Sequence, residues 1–278
     1  MSPSLPSLFL LLGGSFAAGV LGALMGLGGG VLIIPLLTAL GVDIRFAIPV
    51  SIVAVIATSS GAAASYVRDG LANLRAGILL AVATTSGALA GAYANGLVPS
   101  RLLFIIFAGV LACSGVLMLR KGGMDERGSQ VSGRPDRFRL ASSFHDREQG
   151  REVHYVPTRV GLAFALMGGA GAVSGLLGIG SGALKVPAMD LAMKLPIKVS
   201  TATSNFMIGI TGLASALVYL RQGRVLVWLA TPIALGVVCG SMVGTKLLVR
   251  LRSTTIRRAF VGVLAVVVVQ MSLKGLGI

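Results

Sequence analysis

A glycine-rich motif that occurs twice is the feature that most constrains how this chain can fold. The segment 26–35, GLGGGVLIIP, is matched by 178–187, GIGSGALKVP, 152 positions later. In both copies the glycine cluster interrupts a long apolar run, and a proline follows five residues after the last glycine. Because glycine adopts backbone angles that a helix excludes, each cluster predicts a break in a helix.

The apolar runs that flank these motifs define the class of protein. Of the 278 residues 55% are hydrophobic and only 12% are charged, whereas about a quarter of a soluble domain is charged. Eight runs contain no Asp, Glu, Lys, Arg or His, and most reach the roughly 20 residues that a membrane-spanning helix needs. They are 1–42, 46–67, 76–100, 102–119, 160–184, 199–220, 225–245 and 259–273. The sequence therefore predicts an all-α, polytopic integral membrane protein of the cell inner membrane or plasma membrane.

The repeat extends well beyond the two glycine clusters. At an offset of 153, Ser51 matches Ser204, Tyr66 matches Tyr219, and Gly87 and Gly91 match Gly240 and Gly244. We therefore predict two homologous membrane repeats, 1–120 and 158–278, joined by a polar cytoplasmic linker, 121–157. The linker holds seven basic residues and six of the nine acidic ones, which predicts a solvated, flexible segment.

The distribution of basic residues bears on how the two halves face the membrane. If each glycine-broken segment turns back inside the bilayer, the halves are inverted. With the linker placed in the cytoplasm, inversion puts nine basic loop residues inside and five outside, and a parallel arrangement reverses these numbers. Basic residues accumulate in short cytoplasmic loops. The pattern therefore favours inverted repeats with re-entrant or hairpin broken helices.

Broken helices at matching places in two repeats indicate a transporter's substrate site. At membrane depth, irregular backbone is tolerated only where it faces protein or a water-filled cavity. Free amides at the start of a half-helix carry partial positive charge and suit anions. We therefore predict that a small oxyanion is held between the two breaks, by Gly28, Gly29, Gly30, Gly180, Ser181 and Gly182.

Polar side chains near the second break extend the predicted site. Lys185 follows a charge-free run, and an intramembrane lysine usually marks a pathway or a partner. The alternatives for it are pairing with Asp190 or snorkelling. Hydroxyl and amide groups near the breaks suit reversible binding of an anion, although they also serve as hydrogen bonds between helices. The predicted lining residues are Ser51, Thr203, Ser204 and Asn205.

Other chemistries have little support in the sequence. Outside the linker there are 17 basic residues but only three acidic ones, Asp43, Asp69 and Asp190. Asp190 is the candidate carboxylate for proton coupling, with pairing to Lys194 as the alternative. We expect no enzyme activity, no cofactor, no metal site and no nucleic-acid binding, because no catalytic constellation, phosphate-binding loop or metal-ligand spacing occurs.

The paired motifs resemble those of the sulfite exporter TauE/SafE (toluene sulfonate uptake permease) family. In this sequence each glycine motif is followed by a second short motif, AIPVS at 47–51 and STATS at 200–204. The first departs from the usual pattern, with Pro49-Val50 where glycine and threonine are expected. The resemblance covers both halves and implies secondary transport of sulfur-containing anions such as sulfite, sulfonates or thiosulfate.

From the sequence we predict an alternating-access transporter in the lipid bilayer, with a small sulfur-containing anion as substrate. A proton is the expected coupling ion, and a homodimer is left open. Two other functions are compatible with the same sequence. One is a passive anion pore, and the other is a non-transporting membrane scaffold or receptor that uses the linker for docking.

Overall fold

The computed structural model describes residues 5–120, 139–146 and 151–276. Ten α-helices and one β-hairpin make up these parts, and seven of the helices are long and apolar enough to cross a membrane. The elements are α1 (Leu5–Met25), α2 (Gly30–Ala39), α3 (Ile44–Arg68), α4 (Leu74–Ala94), α5 (Ser100–Arg120), β1 (Ser142–Asp146), β2 (Arg151–Tyr155), α6 (Val160–Leu177), α7 (Gly182–Ala192), α8 (Ile197–Arg221), α9 (Val227–Arg250) and α10 (Ser253–Leu276). The predicted all-α membrane class is confirmed.

Both predicted helix breaks are present. α1 ends at Met25 and α2 begins at Gly30, while α6 ends at Leu177 and α7 begins at Gly182. Several residues between them take positive φ angles, which a helix cannot contain. The short α2 and α7 occupy the same place in the order of helices, so α1 to α5 correspond to α6 to α10.

The first helix of each half packs against a helix of the other half. α1 packs along α9, and α6 packs along α4. A Cβ at Gly87 would lie 2.8 Å from the backbone N of Ala172, and one at Gly240 would lie 2.9 Å from that of Val20. These glycines therefore allow two backbones to approach closely.

Equivalent helices of the two halves run antiparallel where they meet. In the central pair, Ser59 of α3 donates to the carbonyl of Asn205 in α8. Further along α8, a Cβ at Gly212 would lie 3.0 Å from Cγ1 of Ile56, which comes before Ser59 in α3, so the two helices run in opposite directions. In the outer pair, Arg101 at the start of α5 donates to the carbonyl of Gly275 (3.1 Å), near the end of α10. Antiparallel equivalents are the arrangement that inverted repeats require.

The linker is partly folded, so the prediction of a flexible segment was wrong for its described portion. β1 and β2 pair antiparallel, with Phe144 opposite Val153, and Leu140, Phe144 and Tyr155 are buried. Val153 and Tyr155 are two positions apart in β2, and Phe144 is opposite Val153, so these three apolar side chains share one face of the hairpin. The stretch 121–138, also assigned to the linker, lies outside the described residues.

The hairpin packs against one end of the helical bundle. Asn73, at the start of α4, donates through Nδ2 to the carbonyl of Leu140 (2.8 Å) and to the hydroxyl of Tyr155 (3.3 Å). Thr158 then ties the chain to the end of α7, because its backbone N–H donates to the carbonyl of Met193 (3.1 Å). Burial raises the pKa of the Tyr155 phenol above its ordinary value.

Candidate functional site

The two helix breaks lie against each other in the interior of the bundle. A Cβ at Gly30 would lie 2.8 Å from the carbonyl oxygen of Gly178 and 3.4 Å from Ile179 Cα. A Cβ at Gly182 would collide with the carbonyl oxygen of Gly26. The start of each half-helix therefore lies beside the end of the broken helix from the other half. The two breaks therefore meet, and the anion predicted between them stays a prediction.

Two apolar side chains cover the breaks. A Cβ at Gly28 (φ +75°) would lie 3.0 Å from Ile208 Cγ2, and one at Gly180 (φ +72°) would lie 2.8 Å from Val55 Cγ1. Val55 and Ile208 are themselves equivalent at the offset of 153. Two independent reasons require glycine at both positions. The positive φ angle disfavours any other residue, and the neighbouring side chains leave no space for a Cβ.

The two equivalent serines hold the breaks across the halves. Ser51 Oγ shares its proton between the carbonyls of Ile48 (2.7 Å) and Gly178 (2.8 Å), and Ser204 Oγ donates to the carbonyl of Gly26 (2.9 Å). Each hydroxyl therefore satisfies a carbonyl at the end of the opposite half's broken helix, a group that the helix itself leaves without a partner. In this conformation both serines reach the breaks, but their protons are used on backbone.

The second break exposes more unpaired amides than the first. In the described part of the chain, the backbone N–H groups of Gly29 and Val31 make no hydrogen bond in the first break. In the second break the N–H groups of five consecutive residues make none: Ile179, Gly180, Ser181, Gly182 and Ala183. These donors lie at the positive end of α7, so the second break is the stronger site for an anion.

Lys185, in the first turn of α7, adds a full positive charge beside these amides. The residue has no exposed surface, and its Nζ donates to Thr211 Oγ1 of α8 at 3.0 Å. Thr211 Oγ1 is also 3.1 Å from Thr84 Oγ1 of α4. Within the ranges that the structure covers, Lys185 has no carboxylate partner, so it is not paired with Asp190. Two of the three ammonium protons are left for other acceptors.

The other predicted site residues occupy different surroundings. Thr203 Oγ1 accepts from the backbone N–H of Asn73 (3.0 Å), at the end of the bundle that carries the hairpin. Asp190, which is 4% exposed, forms an ion pair with Arg257 of α10 at 3.3 Å. Asn205 lies at the first break, where its Nδ2 donates to the carbonyl of Ala23 (3.0 Å).

Several residues of the site were missed by the sequence analysis. Thr84, Thr211, Val55 and Ile208 had no place in the predicted set, although the repeat offset pairs Val55 with Ile208 and Thr58 with Thr211. That pairing was the signal that could have found three of the four, Val55, Ile208 and Thr211. The described residues contain no group of three or more His, Cys, Asp or Glu side chains placed to hold a metal ion.

Comparison with known proteins finds one family and several relatives that match almost the whole chain. The profile of a family described as sulfite exporter TauE/SafE matches residues 11–271. The probable membrane transporter protein YunE of Bacillus subtilis is 27% identical over 238 residues, covering 83% of each chain. A probable membrane transporter protein of Xylella fastidiosa (strain 9a5c) is 29% identical over 252 residues, covering 89% of this chain and 87% of its own. No solved structure matches the chain.

Proposed function

Because the chain belongs to the sulfite exporter TauE/SafE family, we propose that it is a secondary transporter of small sulfur-containing anions, such as sulfite, sulfonates or thiosulfate. Its relatives in Bacillus and Xylella bear the name of probable membrane transporters. The substrate enters a multi-pass protein of the cell membrane and binds where the two broken helices meet.

The observation that carries the proposal is the buried ammonium group of Lys185. An isolated charge in an apolar interior costs several kcal/mol unless it is paired. Among the described residues its one partner is the neutral hydroxyl of Thr211. A bound anion supplies the missing negative charge, and the unpaired amides of 179–183 supply further donors.

The donor set fits a compact oxyanion. The amides of 179–183 and the ammonium of Lys185 offer hydrogen-bond donors, whereas the hydroxyls of Thr84 and Thr211 already donate to the carbonyls of Ala81 and Met207. Hydrogen bonds to charged groups are about twice as strong as neutral ones. A tetrahedral or pyramidal oxyanion with several acceptor oxygens uses such a set fully, whereas a cation finds no carboxylate there.

The same arrangement supports the proposal of alternating access. The antiparallel course of α3 and α8, and of α5 and α10, supports inverted repeats that exchange their roles as the site opens to either side. Val55 and Ile208 cover the two breaks symmetrically, so we assign them as the apolar closure over the substrate. A proton carried by Asp190 stays the predicted coupling ion, with Arg257 as the partner that must release the carboxylate.

The test is flux through the purified protein in proteoliposomes. Uptake of radiolabelled sulfite should saturate with concentration, and thiosulfate, sulfoacetate, taurine and sulfate should be compared as competitors. Saturation together with competition by at least one sulfur anion is the expected result. A flux that rises linearly with concentration and meets no competition would instead identify a passive pore.

The scaffold alternative is separated by a deletion that leaves the hairpin in place. Removal of residues 123–136 shortens the linker without touching the segment 139–158 that packs on the bundle. A transporter should retain most of its flux after this deletion. Loss of flux, with normal folding and membrane insertion, would show that the linker has a larger part in function than the proposal allows.

A further inference from the structure

Two buried oxygen atoms without partners belong to residues of α8 that lie beside the end of α1. Thr201 and Asn205, one turn apart on α8, have no exposed surface. Neither Thr201 Oγ1 nor Asn205 Oδ1 has a hydrogen-bond partner among the described residues. Buried polar atoms in folded proteins are nearly always satisfied. These two oxygens therefore have the capacity to bind a ligand.

The orientation of the Asn205 amide is set by its own hydrogen bonds. Its Nδ2 donates to the carbonyl of Ala23 (3.0 Å) and to that of Thr201 (3.2 Å), so nitrogen and oxygen cannot be exchanged without losing both bonds. The carbonyl oxygen Oδ1 is consequently held in place as a free acceptor. Hydrogen bonds of this kind are what keep a ligand atom in a fixed position.

Backbone carbonyls at the same place increase the negative potential. In the part of the chain that the structure covers, the carbonyl groups of Leu24 and Met25, in the last turn of α1, accept no hydrogen bond. Both residues are buried. The C-terminal end of a helix carries partial negative charge. Gly26, which follows, is so close to α8 that a Cβ there would lie 3.0 Å from both Cα and the carbonyl oxygen of Thr201.

The equivalent place in the other half lacks these side-chain oxygens. The positions that correspond to Thr201 and Asn205 are Ile48 and Ile52. At the end of α6, the carbonyl of Leu176 accepts from Asn95 Nδ2 (2.7 Å). The free side-chain oxygens are thus a property of one break, whereas the carbonyl of Leu177 at the end of α6, like that of Met25, accepts no hydrogen bond among the described residues.

We propose that Thr201 Oγ1, Asn205 Oδ1 and the last carbonyls of α1 form a site for a monovalent cation, with Na⁺ as the ion to test. All the donors are oxygen atoms, which suits a hard cation, and none is a carboxylate, which a divalent ion would require. Half-helix ends and unwound carbonyls bind Na⁺ in other transporters with broken helices.

The inference deepens the proposed function, because the site lies next to the anion site. Gly182, at the positive end of α7, touches the carbonyl of Gly26, at the negative end of α1. A cation on the α1 side and an anion on the α7 side attract each other across this contact. Each ion then raises the affinity of the other by the same factor, so Na⁺ acts as a coupling ion in addition to the proton on Asp190.

The test measures thermal stability of the purified full-length protein in detergent, with NaCl replacing choline chloride at constant ionic strength. The melting temperature of the wild type should rise with Na⁺ and saturate. Thr201→Val removes one free oxygen without leaving any partner unsatisfied, and should weaken the apparent Na⁺ affinity at least tenfold. Ser86→Ala, which changes an exposed hydroxyl of α4, is the control and should titrate as the wild type does.

A second variant and a second ligand make the outcome decisive. Thr201→Ser keeps the free hydroxyl oxygen and loses only a methyl group, so it should titrate with Na⁺ as the wild type does. Equal stability in Na⁺ and choline, or an unchanged Na⁺ titration in Thr201→Val, would overturn the cation site. Stabilisation by sulfite without any effect of Na⁺ would reject this site and leave the transport proposal standing. Stabilisation by Na⁺ without any effect of sulfite would reject the anion site and leave the cation site standing.

Discussion

Replacement of Lys185 by methionine should lower anion affinity and raise stability at the same time. Methionine has a similar length but no charge. In the wild type the ammonium is fully buried, with Thr211 as its partner among the described residues. Thr211 keeps its own hydrogen bond to the carbonyl of Met207 (2.9 Å) after the change. The substitution therefore leaves no polar group newly unsatisfied.

The magnitudes follow from this geometry. Removing a buried charge that binds an opposite charge costs about 2–5 kcal/mol of binding free energy. Since about 1.4 kcal/mol is a factor of ten, affinity for the substrate should fall at least roughly 30-fold. Without ligand, an apolar side chain in place of an unpaired buried charge should stabilise the protein by about 1–4 kcal/mol.

Isothermal titration calorimetry with sulfite gives the affinity, and thermal unfolding in detergent without substrate gives the stability. Lys246→Met, in which the lysine is exposed on α9, loses the same charge and should change neither quantity. The reasoning is refuted if Lys185→Met binds sulfite as the wild type does. It is also refuted if the variant loses stability, since that would make the lysine a structural residue.

Three further outcomes are expected. Gly28→Leu and Gly180→Leu should insert into the membrane but lose transport in proteoliposomes, because a side chain would need a strained positive φ and would strike Ile208 or Val55. Ser204→Ala should lower thermal stability by about 1–3 kcal/mol, because the carbonyl of Gly26 is left without its donor. The stability contributed by the neutral Tyr155 phenol should be complete below about pH 10 and be lost as the pH rises above it, since burial raises its pKa.

A matched control variant separates each expected effect from the general effect of making the same type of substitution elsewhere in the chain. Gly41 also has a positive φ (+83°) but would place a Cβ in open space, so Gly41→Leu should retain transport. Ser60→Ala removes an exposed hydroxyl and should leave the melting temperature unchanged. The free energy of unfolding of Tyr155→Phe should vary less with pH above pH 10 than that of the wild type. Transport by Gly28→Leu, full stability of Ser204→Ala, or an identical profile for Tyr155→Phe would contradict the respective explanation.

Much of the architecture could be predicted from local features of the chain. The membrane class follows from apolar runs of sufficient length, and the breaks follow from glycine clusters such as 26–30, because both properties belong to a single segment. The correspondence of the halves follows from matched residues at constant offset. The site was predicted less completely. The glycines and Lys185 were named, but Thr211, which contacts the lysine, was not.

The amino-acid sequence by itself determined that this chain spans a membrane, that it consists of two related halves and that a helix breaks in each. Only the tertiary structure decided which groups meet. Ser51 and Ser204 bond to the opposite half, Lys185 lies against neutral hydroxyls, and a polar linker buries Phe144. The physical reason is that span length and backbone freedom are local, whereas partners depend on how distant helices pack. Residues 100 or more positions apart acquire their roles only through that packing.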